Sequence, residues 1–336
     1  MSEKKALKMV TCVWCETKVF ISGDLPPLAT TPCTKCGHPI MMPMRLRQFE
    51  LRSVIASGGN GTVYRALDTV LERMVAVKLM KKELANDPLA LESFYREARA
   101  CAQLNHTNII HIYTFDESEG QMYLVMELAD HGSLDNRIEK QQRVSELDVL
   151  DIGYKIGSAL DLALKHNILH RDIKPGNILF NSDNEPKLVD FGLARKADAE
   201  QESASVTEGT PYYVAPEKIK REPETALSDM YSLGCTLYHA LTGHVPFEAP
   251  TVEELVSAHV HKPMTPPNLV LPEITQPTSN ALVRAMEKNP ADRFSSYDEF
   301  TLALYTARSQ LLIQQSTQSP VLEPPKRNTK TSWWRR

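Results

Sequence analysis

The pattern of hydrophobic and polar positions predicts several strands before residue 130 and mostly helices after it. Side chains alternate over residues 49–55, which predicts a strand, and the apolar run at 122–126 predicts a buried strand. Residues 88–104 place apolar side chains at helical spacing behind a proline, and residues 146–166 form a longer amphipathic pattern. The chain is therefore expected to have an α+β fold with a strand-rich and a helical region.

Two Cys-x-x-Cys pairs lie near the N-terminus, with seventeen residues (16–32) between them. The four candidate ligands are Cys12, Cys15, Cys33 and Cys36. This spacing is typical of a four-thiolate zinc site, because each pair can form a tight turn with two sulfurs on one metal. The segment resembles a zinc ribbon, and Gly37 stands where such a turn often needs a positive φ. A rubredoxin-like iron site and a redox dithiol are the alternatives. His38 could replace a cysteine ligand, but it is expected at the surface.

Composition limits the classes of protein that remain. The 336 residues suffice for one two-lobed domain with a small appendage, and 42% hydrophobic and 24% charged residues are ordinary for a globular chain. A net charge of −4 gives no reason to expect nucleic acid as a partner. The start MSEKKALKMV lacks the apolar region of a secretory signal, and no apolar run could span a bilayer, so a cytoplasmic protein is expected.

The candidate chemistry lies in two loops that each follow a short apolar run. Residues 170–172 are His-Arg-Asp, Asn177 follows five positions after that aspartate, and residues 190–192 are Asp-Phe-Gly. An acid can take a proton from a hydroxyl group, while an amide and a second acid can face phosphates through magnesium. This order and spacing resemble the catalytic and metal-binding loops of the protein kinase family.

The resemblance implies a bilobal protein-kinase fold, with a β-rich N-lobe, a helical C-lobe and the small four-cysteine zinc ribbon at the N-terminus. Asp172 would accept the proton of the acceptor hydroxyl, and Lys174 would neutralise the developing charge. Asn177 and Asp190 would hold Mg²⁺ (or Mn²⁺). A lysine at position 174 is the serine/threonine-kinase form of this loop.

The nucleotide-binding elements of the family also have counterparts. Residues 55–63, IASGGNGTV, resemble the glycine-rich loop, with Ala56 in place of its first glycine; altered mobility or affinity is expected rather than lost binding. Lys78 ends a segment that resembles the family's Val-Ala-Ile-Lys strand, and Glu97 on the next helix is its expected ion-pair partner. A solvated helix charge is the competing interpretation of Glu97. The implied nucleotide contacts are Ile55, Ala56, Gly58, Gly61, Val63, Ala76, Lys78, Met126, Glu127, Ala129 and Leu179.

The segment after residue 192 ends in GTPYYVAPE at 209–217, which resembles the end of a serine/threonine-kinase activation segment. Arg171, before the catalytic aspartate, is typical of kinases that are controlled by phosphorylation in this segment, since a phosphate would pair with the arginine. The regulatory candidates are Ser203, Ser205, Thr207 and Thr210. Thr207 is expected to be the main autophosphorylation site, and Thr210 would bond to the catalytic aspartate and its lysine. An ordinary polar loop is the alternative.

Two further matches are structural. Glu217 is expected to form a buried ion pair with Arg293, and Asp229 to accept hydrogen bonds from the catalytic-loop backbone. Tyr231 stands where the family pattern has tryptophan.

The predicted boundaries are a zinc-ribbon-like domain at 1–44, a linker at 45–48, a kinase domain at 49–310 and a disordered tail at 311–336. The tail ends in two tryptophans and two arginines, a mixture that an anionic membrane or a protein groove could bind. An inert tail is the default expectation.

The resulting interpretation is a serine/threonine protein kinase that uses ATP on protein substrates, with structural Zn²⁺. The alternative is a pseudokinase scaffold that docks a partner protein through the ribbon, favoured only by Ala56. A nucleic-acid-binding ribbon with a regulatory kinase lobe is a third interpretation, for which the ribbon carries too little positive charge.

Overall fold

The computed structural model describes residues 7–58, 61–84, 87–191, 195–196 and 211–318. The predicted regulatory residues Ser203, Ser205, Thr207 and Thr210 lie outside the described residues, as does the part of the tail after Gln318.

The strands of the described chain are short and mostly precede residue 130. They are β1 (Leu7–Thr11), β2 (Lys18–Ser22), β3 (Thr30–Pro32), β4 (Pro39–Met41), β5 (Met44–Leu46), β6 (Phe49–Ser57), β7 (Gly61–Asp68), β8 (Arg73–Met80), β9 (Ile112–Ser118), β10 (Gln121–Met126), β11 (Ile168–Leu169), β12 (Ile178–Phe180), β13 (Pro186–Leu188) and β14 (Arg195–Lys196).

The helices lie mostly after residue 130. They are α1 (Pro88–Ala102), α2 (Leu134–Gln141), α3 (Glu146–Lys165), α4 (Pro216–Ile219), α5 (Ala226–Thr242), α6 (Val252–His261), α7 (Pro267–Val270), α8 (Gln276–Ala285) and α9 (Tyr297–Gln318). Single 3-10 turns occur at Lys82–Leu84, Pro175–Asn177 and Pro290–Asp292. The two-lobed α+β arrangement predicted from the sequence is present.

The predicted helix starts coincide with their capping residues. Asp87 caps α1 by accepting the N–H groups of Leu89 and Ala90, directly before the predicted start at Pro88. Ser133 caps α2 in a reciprocal capping box with Asn136.

The small lobe is one antiparallel sheet of six strands within the described residues, in the order β5-β6-β7-β8-β10-β9. Side chains alternate across each strand, so Val75 and Val77 of β8 face one side while Ala76 faces the other. On the side of Ala76, Phe94 of α1 packs against Phe115 of β9, with ring centroids 5.7 Å apart. The predicted nucleotide-binding residue Ala76 lies on this inner side.

The outer side of the sheet is covered by residues 7–42, called the four-cysteine module below. The module consists of two hairpins, β1–β2 and β3–β4, with a small core that includes Val19, Ile21 and Ile40. Met41 is 3% exposed and belongs to the apolar cluster of the sheet's outer face, which also contains Leu51. The module therefore packs directly on the small lobe.

The predicted linker at 45–48 overlaps the edge strand of the small-lobe sheet. Met44–Leu46 forms the edge strand β5, which pairs antiparallel with β6 so that Leu46 lies opposite Phe49. Leu46 is 2% exposed, and this burial explains why the chain is ordered as a strand here. The sheet of the small lobe thus begins before residue 49.

The large lobe is built around α5, which packs against α3 and α8. Gly153 and Gly157 of α3 allow close helix packing, because a Cβ at either position would lie 2.7 Å from a side-chain carbon of Leu237 or Thr301. None of the helices within the described ranges is both long and apolar enough to cross a membrane.

The helical structure extends past the predicted kinase boundary at residue 310. α9 continues to Gln318, so residues 311–318 of the predicted disordered tail are helical. Leu311 is 8% exposed and packs in the core of the large lobe, whereas residues 312–317 are exposed.

Candidate active site and four-cysteine cluster

The predicted catalytic loop is anchored on α5. The two carboxylate oxygens of Asp229 accept the main-chain N–H groups of His170 and Arg171, each at 2.8 Å, as predicted for this aspartate. Asp229 is 3% exposed, and its burial raises the pKa of the carboxyl group. Arg171 has a φ of +70°, a conformation that costs energy for any residue other than glycine. The buried carboxylate therefore holds the loop in a conformation that the chain alone disfavours.

Asp172 lies at the centre of this loop with two donors on one carboxylate oxygen. Its Oδ2 accepts hydrogen bonds from Lys174 Nζ at 2.7 Å and from Asn177 Nδ2 at 2.9 Å. The side chains of Asp172 and Lys174 remain 25% and 43% exposed, so a hydroxyl group arriving from solvent can reach the carboxylate. The structure thus brings three predicted catalytic residues into one hydrogen-bonded group.

Asp190 and Phe191 follow β13 and turn the chain toward the small lobe. Phe191 is completely buried, with its ring centroid 4.6 Å from that of His170. Asp190 has a φ of +66°. Its negative charge acts on both Lys78 and Glu97, which places the Asp190 carboxylate beside these two side chains.

Lys78 of β8 and Glu97 of α1 form the predicted ion pair. Nζ of Lys78 lies 2.5 Å from Oε2 of Glu97, and the two side chains are 14% and 10% exposed. The alternative of a solvated charge at Glu97 is therefore wrong. Burial opposes the charge of Lys78, but the carboxylates of Glu97 and Asp190 outweigh burial and raise the pKa of the lysine. Lys78 is thus held as a cation at the floor of the cleft.

The oxygen atoms near Asp190 suit a hard divalent cation. Asn177 uses Nδ2 for both of its bonds to Asp172, to the main-chain oxygen at 2.8 Å and to the carboxylate at 2.9 Å. Its Oδ1 is therefore directed away from those bonds. An amide oxygen and a carboxylate are ligands that Mg²⁺ accepts, usually together with water and phosphate oxygens. The donor set fits the divalent metal that the family uses with ATP.

The apolar walls of the cleft come from both lobes. Val63 and Leu179 pack against one cluster that contains the buried side chains of Ala76, Met126 and Ala129. These five predicted nucleotide contacts therefore belong to, or pack against, the same apolar core, which runs through both lobes.

The glycine-rich turn connects β6 and β7. Gly58 donates its N–H to the main-chain oxygen of Gly61 at 2.9 Å, and Ala56 remains within the paired part of the hairpin. A Cβ at Gly61 would lie 2.4 Å from the main-chain oxygen of Leu79, so this position requires glycine. Ile55 lies at an irregularity of the β6–β7 pairing, is 37% exposed and belongs to none of the apolar clusters of the described residues.

The predicted hinge contains an ion pair that sequence reasoning missed. The N–H of Glu127 donates to the main-chain oxygen of His111 at 2.8 Å. Its side-chain Oε1 lies 2.6 Å from Nζ of Lys187, whose side chain is 8% exposed. The sequence signal that could have indicated this ion pair is Lys187, a single charged residue in the short buried strand Pro186–Leu188.

The predicted structural pair of the large lobe is present. Arg293 donates to both carboxylate oxygens of Glu217, at 2.7 and 2.8 Å. The side chains of Arg293 and Glu217 are 0% and 3% exposed. Burial tends to raise the pKa of Glu217, but the ion pair with Arg293 outweighs it and lowers that pKa. Arg171 has another partner that sequence reasoning missed, because its guanidinium group contacts Glu224.

The four cysteines of the four-cysteine module converge as predicted. All four Sγ atoms lie within 4.8 Å of one another, with 3.7 Å between Cys12 and Cys36 and 3.8 Å between Cys15 and Cys33. These are free thiols. A tetrahedral zinc site with metal–sulfur bonds of about 2.3 Å has sulfur–sulfur edges of about 3.8 Å. The sulfur positions therefore fit a tetrahedral metal ion.

The two Cys-x-x-Cys turns have matching geometry. The main-chain oxygens of Cys12 and Cys33 each accept an N–H four residues later, from Glu16 and Gly37 at 2.9 Å. Both of those residues have positive φ, +56° and +75°, as predicted for Gly37. Hydrogen bonds to Thr17 lower the pKa of Cys15 to about 6. In the same cluster burial and the neighbouring sulfurs raise the pKa of Cys36 to about 12, so the four thiols do not share one protonation state.

His38 is not part of this cluster. Its ring stacks on Trp14 with centroids 4.4 Å apart, and it is partly exposed, in agreement with the expectation that it is not a ligand.

Comparisons with known sequences point to the same family as the geometry of the site. A family model described as a protein kinase domain matches residues 49–304. The chain is 35% identical over 286 residues to the serine/threonine-protein kinase PknH of Mycobacterium tuberculosis, covering 83% of this chain and 46% of the relative. It is 36% identical over 260 residues to PknE of the same species, covering 77% and 46% of the two chains. A probable serine/threonine-protein kinase PknB of Bifidobacterium longum is 36% identical over 273 residues, with 77% and 39% covered.

The chain spans less than half the length of these curated relatives. The family model nevertheless covers well over half of the chain, across both lobes and every element of the kinase site. The chain belongs to the protein kinase domain family.

Proposed function

We propose that this protein is a serine/threonine protein kinase that transfers the γ-phosphate of ATP to hydroxyl groups of proteins. The observation that carries the proposal is the convergence of two lobes on one cleft. The small lobe supplies the Lys78–Glu97 pair, and the large lobe supplies Asp190 beside it. The large lobe also supplies Asp172, whose carboxylate accepts hydrogen bonds from Lys174 and Asn177. The names of the similar proteins support the same class.

In this proposal Asp172 orients the acceptor hydroxyl and takes its proton. The hydrogen bonds from Lys174 and Asn177 fix the carboxylate before a substrate arrives, which reduces reorganisation during the reaction. The ammonium group of Lys174, 43% exposed, can follow the transferring phosphoryl group and balance its charge. Lysine at this position is the reason for choosing serine and threonine rather than tyrosine as acceptors.

The remaining roles concern ATP and metal. Lys78 would bind phosphate oxygens, and Val63, Ala76 and Leu179 would enclose the adenine ring. Mg²⁺ (or Mn²⁺) held by Asn177 and Asp190 would supply charge neutralisation at the phosphates. Apart from the proton transfer to Asp172, the protein supplies positioning and electrostatics, as is usual for phosphoryl transfer.

The proposal includes regulation in the activation segment. Thr207 remains the candidate for the main autophosphorylation site, with Ser205 and Ser203 as secondary candidates and Thr210 at the acceptor pocket. A phosphate adds a charge of about −1.5 to −2 at pH 7 and can order such a segment, which would act on the binding of the protein substrate.

A zinc ion is proposed for the four-cysteine module, as a structural part of the protein. The sulfur–sulfur distances of 3.7 and 3.8 Å support zinc, although iron would accept the same four thiolates. The cysteines must stay reduced to bind the metal, which is why a cytoplasmic location belongs to the proposal.

The pseudokinase alternative is not favoured. Lys78, Glu97, Asp172, Asn177 and Asp190 are all present, whereas only Ala56 departs from the family pattern, and it is still paired with Val63 in the β6–β7 hairpin.

The test is phosphoryl transfer from labelled ATP with Mg²⁺, to the protein itself and to a generic basic protein. Asp172→Asn is expected to lower kcat by about 10²–10⁴-fold, the usual contribution of a general base, while Mg-ATP binding is retained. Asp183→Asn changes an exposed aspartate of the same lobe and serves as the matched control. Equal transfer by wild type and Asp172→Asn would refute the assignment of the base.

A further inference from the structure

Arg171 precedes the proposed catalytic base, and its side chain is only 11% exposed. The sequence predicts a phosphate of the activation segment as its partner. Within the described residues its partner is the carboxylate of Glu224: Nε of Arg171 donates to Oε1 at 3.1 Å, and Nη2 donates to the same oxygen. Charge-assisted bonds of this kind are among the stronger hydrogen bonds in proteins.

Lys218 adds a second cation to this contact. Its Nζ lies 3.6 Å from Oε2 of Glu224 and donates to the main-chain oxygen of Arg171 at 3.2 Å. The Glu224 side chain is 10% exposed. Each oxygen of this carboxylate therefore faces a cation in a site mostly shielded from water, where charges attract one another more strongly than in solvent.

Glu224 belongs to the same short segment that holds the loop backbone. It directly precedes Thr225, the N-cap of α5, and Asp229 in the first turn of α5 binds the N–H of Arg171 at 2.8 Å. One segment therefore fixes both the side chain and the backbone of Arg171. This double attachment supports the left-handed backbone at Arg171, with its φ of +70°.

We propose that Glu224 is a positioning residue for phosphoryl transfer. It holds Arg171, and through Arg171 it holds the carboxylate of Asp172, without a phosphate on the activation segment. The inference rests on the proposed kinase function. The hydrogen bonds and ion pairs of Glu224 in the described chain go to Arg171 and Lys218 rather than to Asp172, so its effect must pass through the arginine. Phosphorylation of the segment is then not required for the alignment of Asp172.

Removal of the Glu224 carboxylate would leave the catalytic loop without its charge partner. Arg171 and Lys218 would be neighbouring cations with no negative charge between them, and the guanidinium donors would lose their acceptor. The loop would relax at Arg171, one residue from the base. A misplacement of reacting groups by about 1 Å can cost about 100-fold in rate.

The experiment measures kcat and KM in a background that lacks the phosphate acceptors, Ser203→Ala, Ser205→Ala and Thr207→Ala. This background is expected to keep kcat within about threefold of wild type. Adding Glu224→Gln is expected to lower kcat about tenfold or more, with KM for ATP within about twofold. Glu224→Asp should recover part of the loss, because it keeps the charge. Glu253→Gln, at an exposed acid of α6, is the matched control and should change nothing.

A double-mutant cycle separates positioning from a merely structural role. If Glu224 acts through Arg171, then Glu224→Gln has little further effect on kcat when Arg171→Gln is already present. An equal fold-loss in both backgrounds would overturn the inference. The inference would also be overturned if the triple-alanine variant by itself had a kcat as low as that of Glu224→Gln. In that case a phosphate on the activation segment would be the partner that Arg171 requires. Titration with a fluorescent nucleotide counts the folded molecules in each sample.

Failure of the proposed function is recognised separately. If wild type transfers no phosphate, the positioning claim is tested by hydrogen exchange of residues 168–177. Glu224→Gln should speed exchange of this loop, and Glu253→Gln should not. Unchanged loop exchange in Glu224→Gln would overturn the inference by itself.

Discussion

The four-cysteine module and the large lobe differ in what holds each of them together. The module has six buried residues in its own core, and two of them, Cys12 and Cys33, are cysteines. In the large lobe, α5 alone buries thirteen of its seventeen residues, and the buried polar groups are closed by specific partners such as Glu217 with Arg293. The large lobe supplies its own core, while we propose that the module needs a metal to complete one.

The small lobe packs against the four-cysteine module and therefore depends on the order of that module. Met41 of the module and Leu46 of β5 are buried on the outer face of the sheet whose inner side lines the cleft. Disorder in the module would therefore expose the back of the nucleotide-binding sheet, whereas the catalytic loop is attached to α5 and should be less affected.

Metal removal is expected to have the largest effect. Zinc binding to small zinc domains contributes on the order of 10–16 kcal/mol, so chelation or Cys33→Ser should abolish the fold of residues 7–42. Hydrogen exchange of the full chain should show protection lost there and retained in α5. His38→Ala, beside the cluster but not a ligand, should keep one metal ion per chain by elemental analysis. Full protection of 7–42 without metal would contradict the comparison.

The second effect tests the large lobe. Arg293→Ala should destabilise the protein by about 3–5 kcal/mol, because it leaves the Glu217 carboxylate buried without its cation. Arg143→Ala removes an exposed partner of Glu273, with side chains 47% and 57% exposed, and should cost about 0–1 kcal/mol. Urea unfolding followed by far-UV circular dichroism measures both. Similar losses in the two variants would show that burial does not decide the strength of these pairs.

The third effect tests the contact between the module and the small lobe. Met41→Ala should cost about 2–3 kcal/mol, from lost burial and the cavity that remains. Met9→Ala, at a side chain that is 54% exposed in the same module, should stay within about 0.5 kcal/mol of wild type. Thermal unfolding with zinc in excess is the measurement. If the two variants are equally stable, then the module is attached to the lobe without stabilising it.

Much of the candidate site could be predicted because its motifs are short and each role depends on a few contiguous residues. The Asp172–Asn177 spacing, the Lys78–Glu97 pair and the four-cysteine cluster are all present in the structure. The module boundary was less predictable. The stretch Met44–Leu46 looks like a connector until its pairing with β6 is known, since edge strands are set by partners distant in sequence.

The sequence by itself determined the family, the chemistry of the catalytic loop and the turns that gather the sulfurs, because local spacing places those groups. Only the tertiary structure decided the partners that meet across the fold. Arg171 meets Glu224 across 53 residues, and Lys187 meets Glu127 across 60 (187 − 127). The physical reason is that a buried charge requires a counter-charge, but the chain does not record in any local pattern which residue packing will place there.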